Sequence, residues 1–300
     1  MTGQTWSRRE FFRRSAVAGA VVLGGPALIS ACTSTSQSGG GDTLANARSA
    51  GTIKIGIAGE EPYGFTDTSG KVTGEAPEVA RAVLKAIGIA DVNAQQVSFD
   101  QLIPALNANQ YDMVCAGMNI TAARCQQATF SIPDYSAKTA FLVPKGNPQG
   151  IATFQDIASK NLQLAVLSAA VEQGYAKDAG VPDSNVAAFP DQNALLQAVT
   201  AGRAAAAALT DISLKWLASK NPQADVEVTP GFDPVQNGQP VVSAGGFVFR
   251  KADTTLVDAF NGALGTLHQN GQWVQIAEPF GFTKDNLPAA DLTTQKLCAA

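Results

Sequence analysis

From position 51 onward, short apolar runs alternate with amphipathic stretches, the pattern of an α/β protein with mainly parallel strands. Residues 52–57 alternate apolar and polar positions as a strand does. Residues 77–87 carry Val79, Val83, Leu84 and Ile87 at helical spacing before Gly88. A short helix at 101–107, a buried strand at 113–116 and a strand at 140–143 broken by Pro144 complete a first lobe. A second series follows: a strand at 162–167, a helix over 171–179, a short strand near Ala188, a helix over 192–201, a strand at 204–209 and a helix over 212–219. Beyond the Gly/Pro-rich stretch 231–240, a strand at 246–249 and a helix over 256–269, with Leu256, Phe260, Leu264 and Leu267 on one face, are expected to return to the first lobe. The expected domains are therefore 51–143 with 246–300, and 144–245. Crossings near 143–147 and 241–246 would form a hinge, with a ligand cleft between two sheets.

The first fifty residues read differently. Arg8, Arg9, Arg13 and Arg14 precede an apolar stretch over 16–31, as in a signal peptide. Ser7-Arg8-Arg9-Glu10-Phe11-Phe12-Arg13 resembles the twin-arginine export signal. The apolar stretch is interrupted by Gly24, Gly25 and Pro26 and is short of the roughly 20 residues a spanning helix needs. Ile29-Ser30-Ala31-Cys32 resembles a lipobox, which makes Cys32 the expected first mature residue and lipid-attachment site. The Ser/Thr/Gly-rich stretch after it has the composition of a flexible tether, assigned to 32–50. The expected location is the outer face of the cytoplasmic membrane, or the periplasm.

In 300 residues, 45% hydrophobic and 15% charged, the chain has ample material for a packed core. With 21 basic against 25 acidic residues it lacks the basic excess that nucleic-acid binding requires. Loss of residues 1–31 removes four arginines and Glu10, leaving the mature chain more acidic still. Three cysteines remain in an oxidising compartment. Cys115 lies in an apolar run and reads as a buried small hydrophobe, so the pairing favoured is Cys125 with Cys298. The single histidine, His268, has no Cys/Asp/Glu company, reads as a surface residue and supports no metal site. No cofactor is indicated, and a monomer is expected.

Binding chemistry concentrates where strands end. The segment from Gly117 through Asn119 and Thr121 to Arg124 presents backbone N–H groups, a hydroxyl and a guanidinium together, a set suited to a carboxylate. A second turn, Leu167-Ser168-Ala169-Ala170, could offer N–H groups to the same carboxylate from the other lobe. Glu60 and Asp211, both after strands, are candidates for the ligand's positive charge. Tyr63, Phe65 and Phe99 offer aromatic faces for a flat cation.

Gly74-Glu75-Ala76-Pro77-Glu78-Val79-Ala80, Leu102-Ile103-Pro104-Ala105-Leu106, Ala116-Gly117-Met118, Thr121-Ala122-Ala123-Arg124-Cys125 and Glu278-Pro279-Phe280-Gly281-Phe282 together resemble the family 3 solute-binding proteins of polar amino acid importers, over about 51–282. Within that family they look most like the ectoine and hydroxyectoine binders. The resemblance implies a periplasmic-binding-protein type II fold, a two-lobed α/β clamp with a hinge of two crossover segments. It implies capture of a small zwitterionic solute for ABC permease subunits, with Arg124 on the carboxylate, Glu60 on the ring nitrogens, and Tyr63 and Phe99 as walls. Asn119 stands where relatives often place an aromatic, and Ala170 where many carry a threonine. Asp211 is placed where amino-acid binders hold an α-amino group, which keeps a polar amino acid as the competing ligand. A dehydratase-like enzyme using Glu60 or Glu172 is a further class, but the sequence pairs no nucleophile with a base.

Overall fold

The computed structural model describes residues 42–236 and 238–299; the expected leader, Cys32 and most of the tether lie outside the described residues. Along the chain run α1 (Thr43–Ala50), β1 (Thr52–Ile57), β2 (Phe65–Thr66), β3 (Val72–Thr73), α2 (Glu75–Ala86), β4 (Asp91–Gln96), α3 (Leu102–Asn107), β5 (Met113–Asn119), α4 (Ala122–Cys125), β6 (Thr129–Phe130) and β7 (Tyr135–Ala137). There follow β8 (Thr139–Pro144), α5 (Phe154–Ser159), β9 (Leu164–Leu167), α6 (Glu172–Asp178), β10 (Val186–Phe189), α7 (Gln192–Thr200), β11 (Ala206–Thr210), α8 (Asp211–Lys220) and β12 (Val226–Val228). The chain continues with β13 (Val235–Gln236), β14 (Gln239–Pro240), β15 (Ser243–Phe249), α9 (Thr254–Gln269), α10 (Gln272–Ala277) and α11 (Thr294–Ala299).

These elements build two main sheets, with β2–β3 and β13–β14 as separate two-stranded pairs. The first has the order β4-β1-β5-β15-β6, with β7 also on β15; β1 is parallel to β4 and β5, and β15 is antiparallel to its neighbours. The second has the order β10-β9-β11-β8-β12, parallel over β10, β9 and β11 and antiparallel at β8 and β12. Helix α9 buries Leu256, Phe260, Leu264 and Leu267 against the first sheet's core, the face its periodicity predicts.

Three sequence expectations are corrected. The strand at 140–143, expected in the first lobe, is β8 and pairs in the second sheet, with Thr139 opposite Thr210 and Leu142 opposite Ala207. Its residues up to Val143 are all buried, so its pattern suits either sheet and only long-range pairing decides. The chain thus crosses between sheets at Lys138, the single residue between β7 and β8, and not near 143–147. The second crossing precedes β15, whose first residue is Ser243.

The expected tether is helical over its last eight residues. Asp42 caps α1 by accepting from the Leu44 N–H at 3.1 Å, Leu44 and Ala47 are buried, and Gly51 closes the helix in a left-handed conformation. His268 is not a surface residue. Its ring is half-buried, edge-on to Trp273, with Nε2 3.7 Å from an Asp134 oxygen.

Asp134 also accepts from the Trp273 indole N–H at 2.8 Å and places its charge near Glu75, which is fully buried and has no hydrogen-bond partner on either carboxyl oxygen. A carboxyl buried beside another acid, with no donor to either oxygen, holds its proton. Burial first, and the Asp134 charge second, push the Glu75 carboxyl well above its ordinary value of 4.5. The folded chain therefore keeps this proton after the unfolded chain has released it, so stability falls as pH rises above that value, at about 1.4 kcal/mol per pH unit for each such group. Glu75→Gln, which cannot ionise, is expected to flatten this decline in urea denaturation between pH 5 and 8; an unchanged slope would contradict a proton held on Glu75.

Candidate functional site

The carboxyl ends of four strands meet between the two sheets, where open α/β folds place ligands. Beyond β1 comes Glu60; β5 supplies Gly117 and Asn119; Ala170 and Glu172 follow β9; Leu209 and Thr210 end β11. With Tyr63, Phe99, Arg124, Leu167 and Val171 they line a cavity of about 20 Å³. Of the expected site residues, Glu60, Tyr63, Phe99, Gly117, Asn119, Arg124 and Ala170 are brought together here.

Arg124 is positioned from three sides. Thr121 caps α4, its hydroxyl accepting from the Arg124 N–H at 3.3 Å, so Thr121 works by orienting the arginine and does not line the cavity. The guanidinium donates to the Asn119 carbonyl at 2.8 Å within its own lobe and to the Ala169 carbonyl at 2.9 Å in the other. Its carbon lies 5.3 Å from the centre of the Phe99 ring. Ala169 has φ +60°, a left-handed conformation that costs a non-glycine residue about 1 kcal/mol or more. Cys125, the next residue after Arg124, is joined to Cys298, which ties α11 to the arginine's helix.

Two acids face this cation. Glu60 is buried, and its Oε1 accepts from the Ser213 hydroxyl at 2.7 Å across the lobe boundary. Glu172, 2% exposed, accepts from its own backbone N–H. Burial pushes both carboxyls up to about 7, against the opposing pull of Ser213 and Arg124 at Glu60, and of the Glu172 N–H and Arg124 at Glu172. Burial likewise lowers the Arg124 value, and Glu172 is the charge that most counters this. Tyr63 is fully buried; its hydroxyl donates to Thr210 across the boundary at 3.1 Å, and its ring lies 5.0 Å from that of Tyr135.

Asp211 is not in this cavity. It opens α8, where its carboxylate pairs with Lys215 one turn on and accepts from the Lys138 N–H at 3.2 Å, while its own N–H donates to the Lys138 carbonyl at 2.8 Å. It thus braces the crossing residue, and it lines a separate cavity of about 530 Å³ with Lys138 and Trp216. Phe65 packs near Trp216, 6.5 Å between ring centres, and also lies outside the cavity. Sequence reasoning did not assign roles to Val171, Leu209 or Thr210, offered Leu167 only through the backbone of its turn, and named Glu172 only as the acid or base of an enzyme reading. The signal for Glu172 was its place in the first turn of the helix after β9, the same rim position that singled out Ala170. Among the described residues, no helix is long and apolar enough to cross a membrane and no group of three or more His, Cys, Asp or Glu could hold a metal ion.

The model of the bacterial extracellular solute-binding proteins, family 3, matches residues 53–283. The chain is 35% identical over 268 residues to a probable amino-acid ABC transporter periplasmic-binding protein, y4tE, of Sinorhizobium fredii, covering 88% of this chain and 89% of that protein. It is 27% identical over 236 residues to the lysine/arginine/ornithine-binding periplasmic protein of Escherichia coli, covering 76% and 87%. Among solved structures, EhuB in complex with hydroxyectoine superposes with a TM-score of 0.78 at 35% identity, covering 86% of this chain and 98% of that one. The two-lobed architecture is that of type II periplasmic-binding proteins.

Gly117 has φ +60°, and a Cβ there would come within 2.2 Å of the Tyr63 ring. Gly117→Ala is expected to displace Tyr63 and cost about 1–3 kcal/mol of stability, read by denaturant unfolding.

Proposed function

Because the chain belongs to the bacterial extracellular solute-binding proteins, family 3, we propose that it captures ectoine or hydroxyectoine and delivers it to the permease of an ABC importer. The observation that carries this reading is the enclosure of Arg124, Glu60, Tyr63 and Phe99 in one cavity between the lobes. Ectoine bears a carboxylate for the guanidinium and a delocalised amidinium for the carboxylate and the ring faces. The likeness to a hydroxyectoine-bound structure supports the same class of ligand. A polar amino acid bound through Asp211 is disfavoured, because that carboxylate is committed to Lys215 and Lys138. A cationic amino acid is the second reading, favoured by the two carboxylates, Glu60 and Glu172, around one guanidinium.

The mechanism is capture by closure. A solute held by Arg124 and Phe99 on one lobe gains contacts from Ala170 and Glu172 on the other, and loses its water as the lobes meet. Turnover forms no part of this reading, since neither acid is paired with a nucleophile. The anchoring reading holds the chain, as a monomer, to the membrane through a lipid on Cys32 after twin-arginine export, and Cys32→Ser should release it to the soluble fraction.

Titration calorimetry should give one site per chain for ectoine or hydroxyectoine. Arg124→Ala should lose about 2 kcal/mol or more of binding, the scale for stranding a charged partner. A thermal-shift panel of ectoines, betaines, arginine, lysine and glutamine separates the two readings, and a melting point raised by cationic amino acids alone refutes the first.

A further inference from the structure

The site holds more negative charge than a zwitterion answers. Among the described residues Arg124 is the one cation lining the cavity, and Glu60 and Glu172 both line it. A ligand with one carboxylate and one cationic group satisfies Arg124 with the first and one of the acids with the second. The remaining acid is left buried and unpaired, which an enclosed site tolerates poorly.

The surroundings distinguish the two acids. Glu60 already receives the Ser213 hydroxyl at 2.7 Å and stands with the aromatic Tyr63, a setting made for a flat cation. Glu172 receives its own N–H, and among the described residues no side chain donates to it. The titratable groups that face it are Arg124 on α4, Glu60 beyond β1, and Tyr175 one turn along α6. When a ligand carboxylate takes the guanidinium, Glu172 shares its only cation with a second anion.

Resting on the zwitterion reading, we propose that Glu172 is the charge-selecting residue of the site: ionised, it makes the cleft fit a ligand of net charge +1, and protonated, it makes the cleft fit a zwitterion, which is then bound together with one proton. The raised value of the Glu172 carboxyl, about 7, puts this choice within ordinary pH. The carboxyl's own O–H becomes a donor toward the incoming carboxylate, and no bond of the ligand changes.

Calorimetry of the full chain with ectoine at pH 6.0 and 8.5, in buffers of different ionisation enthalpy, tests this. At pH 8.5 Glu172→Gln should bind ectoine about thirtyfold more tightly than the parent chain, the factor for a carboxyl at about 7 that must be protonated, and the parent alone should take up one proton on binding. Glu60, also raised to about 7, titrates in both chains and leaves this gap unaltered; the gap should narrow toward pH 6.0, and arginine, with net charge +1, should bind the parent chain no more weakly at pH 8.5 than at 6.0. Equal ectoine affinity of the parent and Glu172→Gln at pH 8.5, or equal proton uptake by the two, overturns the assignment while leaving ectoine capture standing. Absence of ectoine binding at both pH values overturns the assignment together with the ectoine reading.

Discussion

One guanidinium holds the cleft together. Arg124 spans the lobe boundary, with one nitrogen on the Asn119 carbonyl and the other on the Ala169 carbonyl, and its plane near Phe99. A half-buried cation in a closed cleft is stabilised by opposite charge close by, and the placement of Glu60 and Glu172 fits that need. The left-handed Ala169 is understood in the same terms, since its strained turn presents a carbonyl to the arginine. The hydrogen bonds that also cross the boundary are neutral or singly charged, among them Tyr63 to Thr210, Ser213 to Glu60, Trp216 to Glu61 and Tyr175 with Ser243. Each is modest alone, which is what a clamp that must reopen requires.

The alternation of elements was legible from periodicity, because each helix must bury one stripe and each inner strand both faces. The arginine, Glu60 and the aromatics were legible from their places after strands. What periodicity lacks is partnership. Residues 140–143 read equally well in either sheet, and register with β11 alone settles them. Strand β4 carries one buried residue, Val92, in a polar run, so an edge strand of this kind offers little apolar signal.

Asp211 and Glu172 make the same point at the level of single side chains. Both follow a strand and open a helix, yet one faces outward and one inward. For Asp211 the answer was present in Lys215, four residues on, a spacing that draws the carboxylate along the outer surface of α8. Thr210 and Ser213 then occupy the inward positions, bonding Tyr63 and Glu60. For Glu172 no neighbour in sequence competes for the charge, and the inward turn depends on Arg124 from the other lobe.

The position of β15 bears on how the chain matures during synthesis. All five strands of the second sheet arise from one continuous stretch, β8 to β12, whereas the first sheet has β15 inserted between β5 and β6. A nascent chain emerging from the ribosome can therefore complete the later lobe while the earlier one still lacks a central strand and leaves the backbone groups of β5 uncovered. The portion made first finishes last, and until Ser243–Phe249 arrives it is the part of the molecule most in need of a chaperone.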